Sequence, residues 1–237
     1  ERTSTVPLIV HVIDENDNKP EFLNTSFVFQ IDENEPPDTF VGKVNALDRD
    51  VGRNAELTYS LAGKSDDFVI DQKNGFIRTA RTFDREHLVQ VTGQNFLTLE
   101  AIVTDNGFPR LQDKVKINVY VADVNDNAPQ FLRQPYKLSL SESSPIGTQV
   151  IRVFTADADE GVNRDVFYFI AAGNEEKRFT IDKATGQIIV AKSLDREKTA
   201  HYELTVTAYD AGETPLSSNS TIIIDITDEN DNAPTFV

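Results

Sequence analysis

Acidic residues in this chain of 237 residues fall in short words rather than in runs, among them Asp14-Glu15-Asn16-Asp17-Asn18, Asp48-Arg49-Asp50, Asp84-Arg85-Glu86 and Asp105-Asn106-Gly107. Carboxylates, Asn amides and backbone carbonyls, with no His or Cys among them, form an all-oxygen donor set. Hard oxygen ligands in such numbers favour calcium over zinc or copper. The helix–loop–helix calcium loop does not fit: counted from Asp14 its sixth position, a glycine, is Lys19 and its twelfth, a glutamate, is Thr25, while from Asp48 the twelfth residue is Tyr59. A calcium site here must therefore be assembled from residues distant in the chain.

The words recur in order. Asp14-Glu15-Asn16-Asp17-Asn18-Lys19-Pro20 returns as Asp123-Val124-Asn125-Asp126-Asn127-Ala128-Pro129 and as Asp228-Glu229-Asn230-Asp231-Asn232-Ala233-Pro234, at starts 109 and 105 residues apart. Between these markers Glu33-Asn34 is matched by Glu142-Ser143, Asp48-Arg49-Asp50 by Asp157-Ala158-Asp159, Asp84-Arg85-Glu86 by Asp195-Arg196-Glu197, and Thr104-Asp105-Asn106-Gly107 by Tyr209-Asp210-Ala211-Gly212. One such word alone is an ordinary polar turn; five repeated in order require a shared task. The period is that of a domain, so residues 1–18 read as the tail of a preceding unit, 19–127 as one unit and 128–237 as another with its own C-terminal marker.

Strands must position these words. Apolar residues alternate at Leu97, Leu99, Ala101 and Val103, at Tyr202, Leu204, Val206 and Ala208, and along Lys137 to Leu140 and Val115 to Val121. With turn words such as Lys73-Asn74-Gly75 and Ala184-Thr185-Gly186 between them and no helix-length pattern, each unit reads as an all-β sandwich. Loops of an antiparallel sandwich gather at its two ends. Asp48, Asp50 and Asp105 are thus expected beside the Asp14–Asn18 marker, and Glu33, Asp84 and Glu86 at the opposite pole near Asp123–Asn127.

Composition removes other classes. The chain holds 39 Asp+Glu against 23 Lys+Arg, a formal charge of −16 with no basic cluster, which argues against nucleic acid as a partner. There is no Cys, hence no disulfide and no thiolate nucleophile, and no Met or Trp. The longest apolar runs, such as Ile222-Ile223-Ile224, are far too short to span a bilayer, so this piece reads as soluble and as an excised internal fragment. Paired carboxylates such as Glu33 and Glu86 suit acid/base work on glycans in principle. Nothing else supports an enzyme: no phosphate loop or G-x-S-x-G occurs, and His11, His87 and His201 are scattered singly.

The D-x-N-D-N-x-P marker, the early Glu, the D-x-D, the L-D-R-E and the A-x-D-x-G words together resemble the extracellular repeats of the cadherin superfamily. Phe83 stands where Leu194 does, and Thr104 precedes Asp105. The resemblance implies two tandem seven-stranded Greek-key, immunoglobulin-like sandwiches joined end to end by a linker that binds Ca2+, and internal repeats of a long invertebrate-type, Fat-type or Flamingo-type cadherin. Carried over by position, the central site takes Glu33, Asp84 and Glu86 from one unit and Asp123, Asn125 and Asp126 from the linker. To these it adds Asp157, Asp159 and Asp210, with backbone carbonyls near Val124, Asn127 and Asn163. Part-sites follow at the ends. Asp14, Asn16, Asp17, Asn18, Asp48, Asp50, Asn54 and Asp105 form one; Glu142, Asp195, Glu197, Asp228, Asn230 and Asp231 form the other.

The implied function is calcium-dependent cell–cell adhesion. Its partner would be a cadherin ectodomain on an apposed cell, homophilic or heterophilic, the alternative being a spacer or mechanical tether without self-adhesion. The parent would be a single-pass plasma-membrane protein with this part outside the cell. Two Asn-x-Ser/Thr sequons, at Asn24 and Asn219, are candidate glycosylation sites. Asp84 to Asp105 is six residues longer than Asp195 to Asp210, which is expected to be a loop extension at about His87–Phe96.

Overall fold

The computed structural model describes residues 2–231 of a chain that divides into two compact units, Glu1–Ala122 and Asp123–Val237. The Asn232-Ala233-Pro234 end of the third marker lies outside the described residues. In the first unit the strands are β1 (Glu21–Phe22), β2 (Ser26–Asp32), β3 (Phe40–Lys43), β4 (Ala46–Leu47), β5 (Thr58–Leu61), β6 (Phe68–Ile70), β7 (Phe76–Thr79), β8 (Phe96–Thr104) and β9 (Gln112–Ala122). They form a four-stranded sheet β2-β9-β8-β5, a three-stranded sheet β3-β7-β6 and the short pair β1-β4. β1 with β2, and β3 with β4, are halves of interrupted strands, so the sandwich has seven. Among the described strands of this unit only β2 against β9 is parallel, so the chain's last long strand lies beside its first.

The second unit repeats this plan with β10 (Gln130–Phe131), β11 (Tyr136–Ser141), β12 (Gln149–Arg152), β13 (Thr155–Ala156), β14 (Val166–Ala172), β15 (Phe179–Ile181), β16 (Gln187–Val190), β17 (His201–Asp210) and β18 (Ser217–Thr227). Its sheets are β11-β18-β17-β14, β12-β16-β15 and β10-β13, with β11 parallel to β18. In both units the period of two decides which side chains go inside. Val115, Ile117, Val119 and Val121 of β9 are buried while Lys114, Lys116 and Asn118 point away, and Ile222, Ile224 and Ile226 of β18 repeat the pattern. A slip of one residue would turn the whole apolar row to solvent, so this alternation also fixes the register that carries the acid words to the poles. Each unit has its own core, one around Phe68, Ile77, Ile117 and Val119, the other around Ile188, Leu204, Ile222 and Ile224.

One expectation fails. The longer segment after Asp84 is not a loop but a helix, α1 (Arg85–Thr92). Asp84 caps it by accepting the His87 N–H at 2.7 Å, Leu88 and Arg85 are buried, and Gly93 ends it in the left-handed region at φ 73°. In the second unit Asp195 accepts the Lys198 N–H in the same way at 3.1 Å, but the chain makes only a turn there. The extra residues supply the buried Leu88 and the stop glycine that let the first turn propagate.

Ile117 is fully buried at the centre of β9, whereas Lys116 beside it is exposed. Ile117→Ala is expected to lower unfolding stability by about 2–5 kcal/mol, and Lys116→Ala to shift it by less than about 0.5 kcal/mol. Denaturant titration in calcium measures both.

Candidate metal centre

At one pole of the first unit the marker segment folds back onto the Asp48-Arg49-Asp50 and Asp105-Asn106-Gly107 words. The Asp14 carboxylate accepts the Val51 N–H at 3.1 Å and the Asn54 amide at 2.9 Å. The Asn16 amide donates to Asp105 Oδ2 at 3.3 Å and to the Pro109 carbonyl at 2.6 Å. Asn18 holds Asp50 through its amide at 2.5 Å and its backbone N–H at 3.3 Å, and Asp50 N–H in turn donates to Asp48 Oδ1 at 3.0 Å.

The second unit reproduces this network residue for residue. Asp123 accepts from Glu160 N–H and the Asn163 amide at 3.0 and 2.9 Å; Asn125 donates to Asp210 at 3.1 Å and to the Thr214 carbonyl at 2.9 Å. Asn127 donates to Asp159 at 2.7 Å and to Asp126 at 2.6 Å, and Asp159 N–H reaches Asp157 Oδ1 at 3.1 Å. Asp105 and Asp210 have no solvent exposure and each accepts two backbone N–H groups, from Gly107 and Leu111 and from Gly212 and Leu216.

What the network leaves over tests whether a cation fits. Asn16 Oδ1 and Asp48 Oδ2 in the first unit, and Asn125 Oδ1 and Asp157 Oδ2 in the second, are buried with no donor among the described residues. Leaving a buried acceptor unpaired costs about 1–3 kcal/mol, and here the same atoms are unpaired in both units. Buried oxygens that lack a donor are what an oxygen-ligated cation requires, so the donor set fits calcium. Electrostatics agree. Burial pushes the Asp157 carboxyl up, with Asp159 and Asp210 adding repulsion, and burial pushes Asp159 up with Asp123 and Asp126 beside it.

The opposite poles are built by two other words. Glu33, itself buried, accepts the Arg85 N–H at 2.7 Å, and its own N–H donates to the Ala122 carbonyl at the end of β9. Glu86 lies close by; burial and the Glu33 carboxylate lift it from an ordinary 4.5 to about 7. In the second unit Glu142 accepts Arg196 N–H at 2.7 Å and Glu229 N–H at 2.8 Å, two bonds that hold its carboxyl below the usual range. One carboxylate oxygen each from Glu142, Glu197 and Asp228 lie within 4.8 Å of one another. Asp195 keeps Lys198 Nζ at 2.5 Å, and Asp228 pairs with Arg196 at 3.1 Å. Asp17, Asp84, Asp126, Asn230 and Asp231 are exposed.

Reading the words for ligands missed what supports them. A Cβ on Gly107 would collide with the Asn16 side chain and one on Gly212 with Asn125, so the glycine of A-x-D-x-G is there to admit the linker amide. The repeated glycine was the available signal. Asn24 is exposed between β1 and β2; Asn219 faces outward on β18, its Oδ1 accepting the Thr207 hydroxyl at 2.7 Å. Among the described residues no helix is long and apolar enough to cross a membrane.

The cadherin domain model matches residues 27–122 and 136–227. The chain belongs to the cadherin family. It is 43% identical to human Protocadherin Fat 4 over 99% of its own length and 5% of that protein's, and 37% identical to the Drosophila melanogaster Fat-like cadherin-related tumor suppressor homolog over 97% and 5%. It is 36% identical to mouse Cadherin EGF LAG seven-pass G-type receptor 2 over 99% of this chain and 8% of that one. Among solved structures it is similar to Protocadherin Gamma B2 extracellular cadherin domains 3-6 (TM-score 0.82, 29% identity, 92% of this chain and 55% of that one). Mouse Cadherin-23 EC22-24 matches at TM-score 0.78 and 30% identity, over 92% and 67%. The chain therefore spans a small part of its Fat-type and Flamingo-type relatives. Cadherin repeats are adhesion-type ectodomain modules that bind calcium at their linkers, and they are not enzymes.

In cation-free protein, a carboxyl whose pKa is raised by folding makes the native state bind more protons than the unfolded chain, so stability falls as pH rises through the interval. For Glu86 that interval runs from 4.5 to about 7, with Asp157 and Asp159 acting in the same sense. Melting temperature in chelator is expected to decline across this window and to flatten when calcium is added; an equal decline in both refutes the assignment.

Proposed function

We propose that this chain is an extracellular, calcium-dependent adhesion segment of a membrane-anchored cadherin, in which cations at the linkers stiffen the tandem repeats. In the central site Asp123, Asn125, Asp126, Asp157, Asp159 and Asp210, with the Val124, Asn127 and Asn163 carbonyls, act together with Glu33, Asp84 and Glu86. The Asp14–Asn18 set with Asp48, Asp50, Asn54 and Asp105, and the Glu142, Asp195, Glu197, Asp228, Asn230 and Asp231 set, are halves of equivalent sites. The observation that carries this reading is the matched pair of buried, donor-less oxygens at Asn16 and Asp48 and at Asn125 and Asp157. Calcium when bound supplies positive charge and six to eight oxygen coordination positions.

This chain's own residues do the rest. The backbone N–H groups of Gly212 and Leu216 hold Asp210 in place, Asn125 spans from Asp210 to the Thr214 carbonyl, and Asn127 fixes the Asp159 carboxylate from two sides. Without a cation, eight carboxylates assigned to the central site (Glu33, Asp84, Glu86, Asp123, Asp126, Asp157, Asp159, Asp210) repel one another. Each core lies in its own unit, so removing calcium is expected to loosen the junction while both sandwiches stay folded. The partner proposed is a cadherin ectodomain on an apposed cell, and Asn24 and Asn219 are proposed as glycan attachment sites.

Small-angle scattering with and without chelator tests the stiffening: an unchanged distribution of interatomic distances would sink it. Asn127→Ala, which removes the amide that orients Asp159 and Asp126, is expected to weaken calcium binding by about 10–100-fold in isothermal titration, with the second core still folded by circular dichroism. Aggregation of beads carrying the ectodomain, in calcium and in chelator, reads out adhesion itself.

A further inference from the structure

A groove of about 500 Å³ opens on the outer face of the second unit's four-stranded sheet. Glu203 on β17 and Asn219, Thr221 and Ile223 on β18 line it from the sheet, and Gln134 and Pro135 line it from the segment that leads into β11. The strand period sets this side: Ser220, Ile222 and Ile224, which alternate with the lining residues, are buried. Asn219 is also the acceptor of the sequon Asn219-Ser220-Thr221, and it is exposed. Its Oδ1 is held by the Thr207 hydroxyl at 2.7 Å, while its Nδ2 makes no hydrogen bond among the described residues. The side chain is thus anchored through its oxygen and leaves free the nitrogen that a sugar would take. The first unit shows that the fold does not require such a groove. Its equivalent strand β9 carries Lys114, Lys116 and Asn118 on this face, where Lys114 pairs with Glu100 at 3.4 Å and Asn118 accepts the Thr98 hydroxyl at 2.9 Å.

The lining suits one kind of occupant. Pro135 and Ile223 offer apolar surface, and the Gln134 amide, the Thr221 hydroxyl and the Glu203 carboxylate offer hydrogen-bonding groups around it. An N-acetylhexosamine has the matching halves, a C–H face with an acetamido methyl and a ring of hydroxyls. So open a groove would hold a free sugar weakly, but a sugar tethered at Asn219 is present at an effective concentration on the order of millimolar. We propose that the groove seats the first N-acetylhexosamine of a glycan carried on Asn219, pressing it against the outer face of β17 and β18. The inference rests on the reading of Asn219 as an attachment site and adds where the sugar lies. Attachment forms a bond from Nδ2 to the sugar's C1 with loss of one amide proton. The donor is a lipid-linked oligosaccharide diphosphate, whose C1–oxygen bond breaks so that the lipid diphosphate leaves with that electron pair.

The test uses the full chain secreted from cultured animal cells, with Asn24→Gln so that one sequon remains, and an endoglycosidase that trims the glycan to its first N-acetylglucosamine. Peptide mass spectrometry reads occupancy of Asn219. In calcium, the trimmed form is expected to melt about 2–4 °C above its Asn219→Gln counterpart. Nuclear Overhauser contacts are expected from the acetamido methyl to the Ile223 methyls and the Pro135 ring. Ile223→Thr, which keeps a β-branched residue but removes the apolar patch, is expected to cut the sugar's increment by more than half. That increment is taken against Ile223→Thr/Asn219→Gln, so any cost of the substitution itself cancels. An occupied Asn219 that gives no increment or no contacts, or an increment that survives Ile223→Thr, overturns the seating and leaves the attachment reading intact. An unoccupied Asn219 overturns both.

Discussion

Carboxylates at the sandwich poles are held by backbone N–H donors and linker amides until the donors run out, and the oxygens left over remain buried. Everything else in the molecule answers to this shortage. Asp105 and Asp210 are buried fully because two backbone N–H groups and one Asn amide meet each of them. Asn16 and Asn125, having spent their amide protons on those aspartates and on the Pro109 and Thr214 carbonyls, turn their own oxygens inward with nothing to accept. A polar pocket in this state is incomplete as a hydrogen-bonded structure.

The sandwich serves that pole by being stiff. Inward rows on β9 and β18 lock register, and register brings the end of β8 or β17, where Asp105 and Asp210 sit, beside the marker segments. The chain has no Cys, so no disulfide braces either unit. The two repeats are alike at the poles and unlike on their faces, as expected if the poles share one task and the faces differ in what they meet. Phe40 and Phe76 against Gln149 and Gln187 is the sharpest such difference, and α1 against the turn after Asp195 is another.

Much of this was legible before any coordinates. Alternation along Val115–Val121 and Tyr202–Ala208 identified strands, because a period of two has one structural meaning, and the repetition of five acid words identified residues that must meet. The helix was missed although its signals were present: Asp84 as cap, Glu86 in the first turn and Gly93 as stop. A two-turn helix and a polar loop look alike in a window that short, and burial of Leu88, which no local pattern reports, decides between them. The role of Gly107 and Gly212 was hidden for a similar reason, since the side chain they make room for comes from about 90 residues away.

The sequence by itself determined the all-β class, the repeat and the family, because each of these rests on residue type and spacing, and it offered an oxygen-only set of candidate ligands. Only the tertiary structure decided which oxygens are satisfied and which are not. It showed that Asn16 and Asn125 donate on one side and are left open on the other, that burial, with neighbouring carboxylates, pushes the Asp157 and Asp159 carboxyls up, and that Phe40 and Phe76 face outward as a pair. Hydrogen bonds, desolvation and exposure are properties of atoms brought together from distant parts of the chain, and folding alone sets those distances.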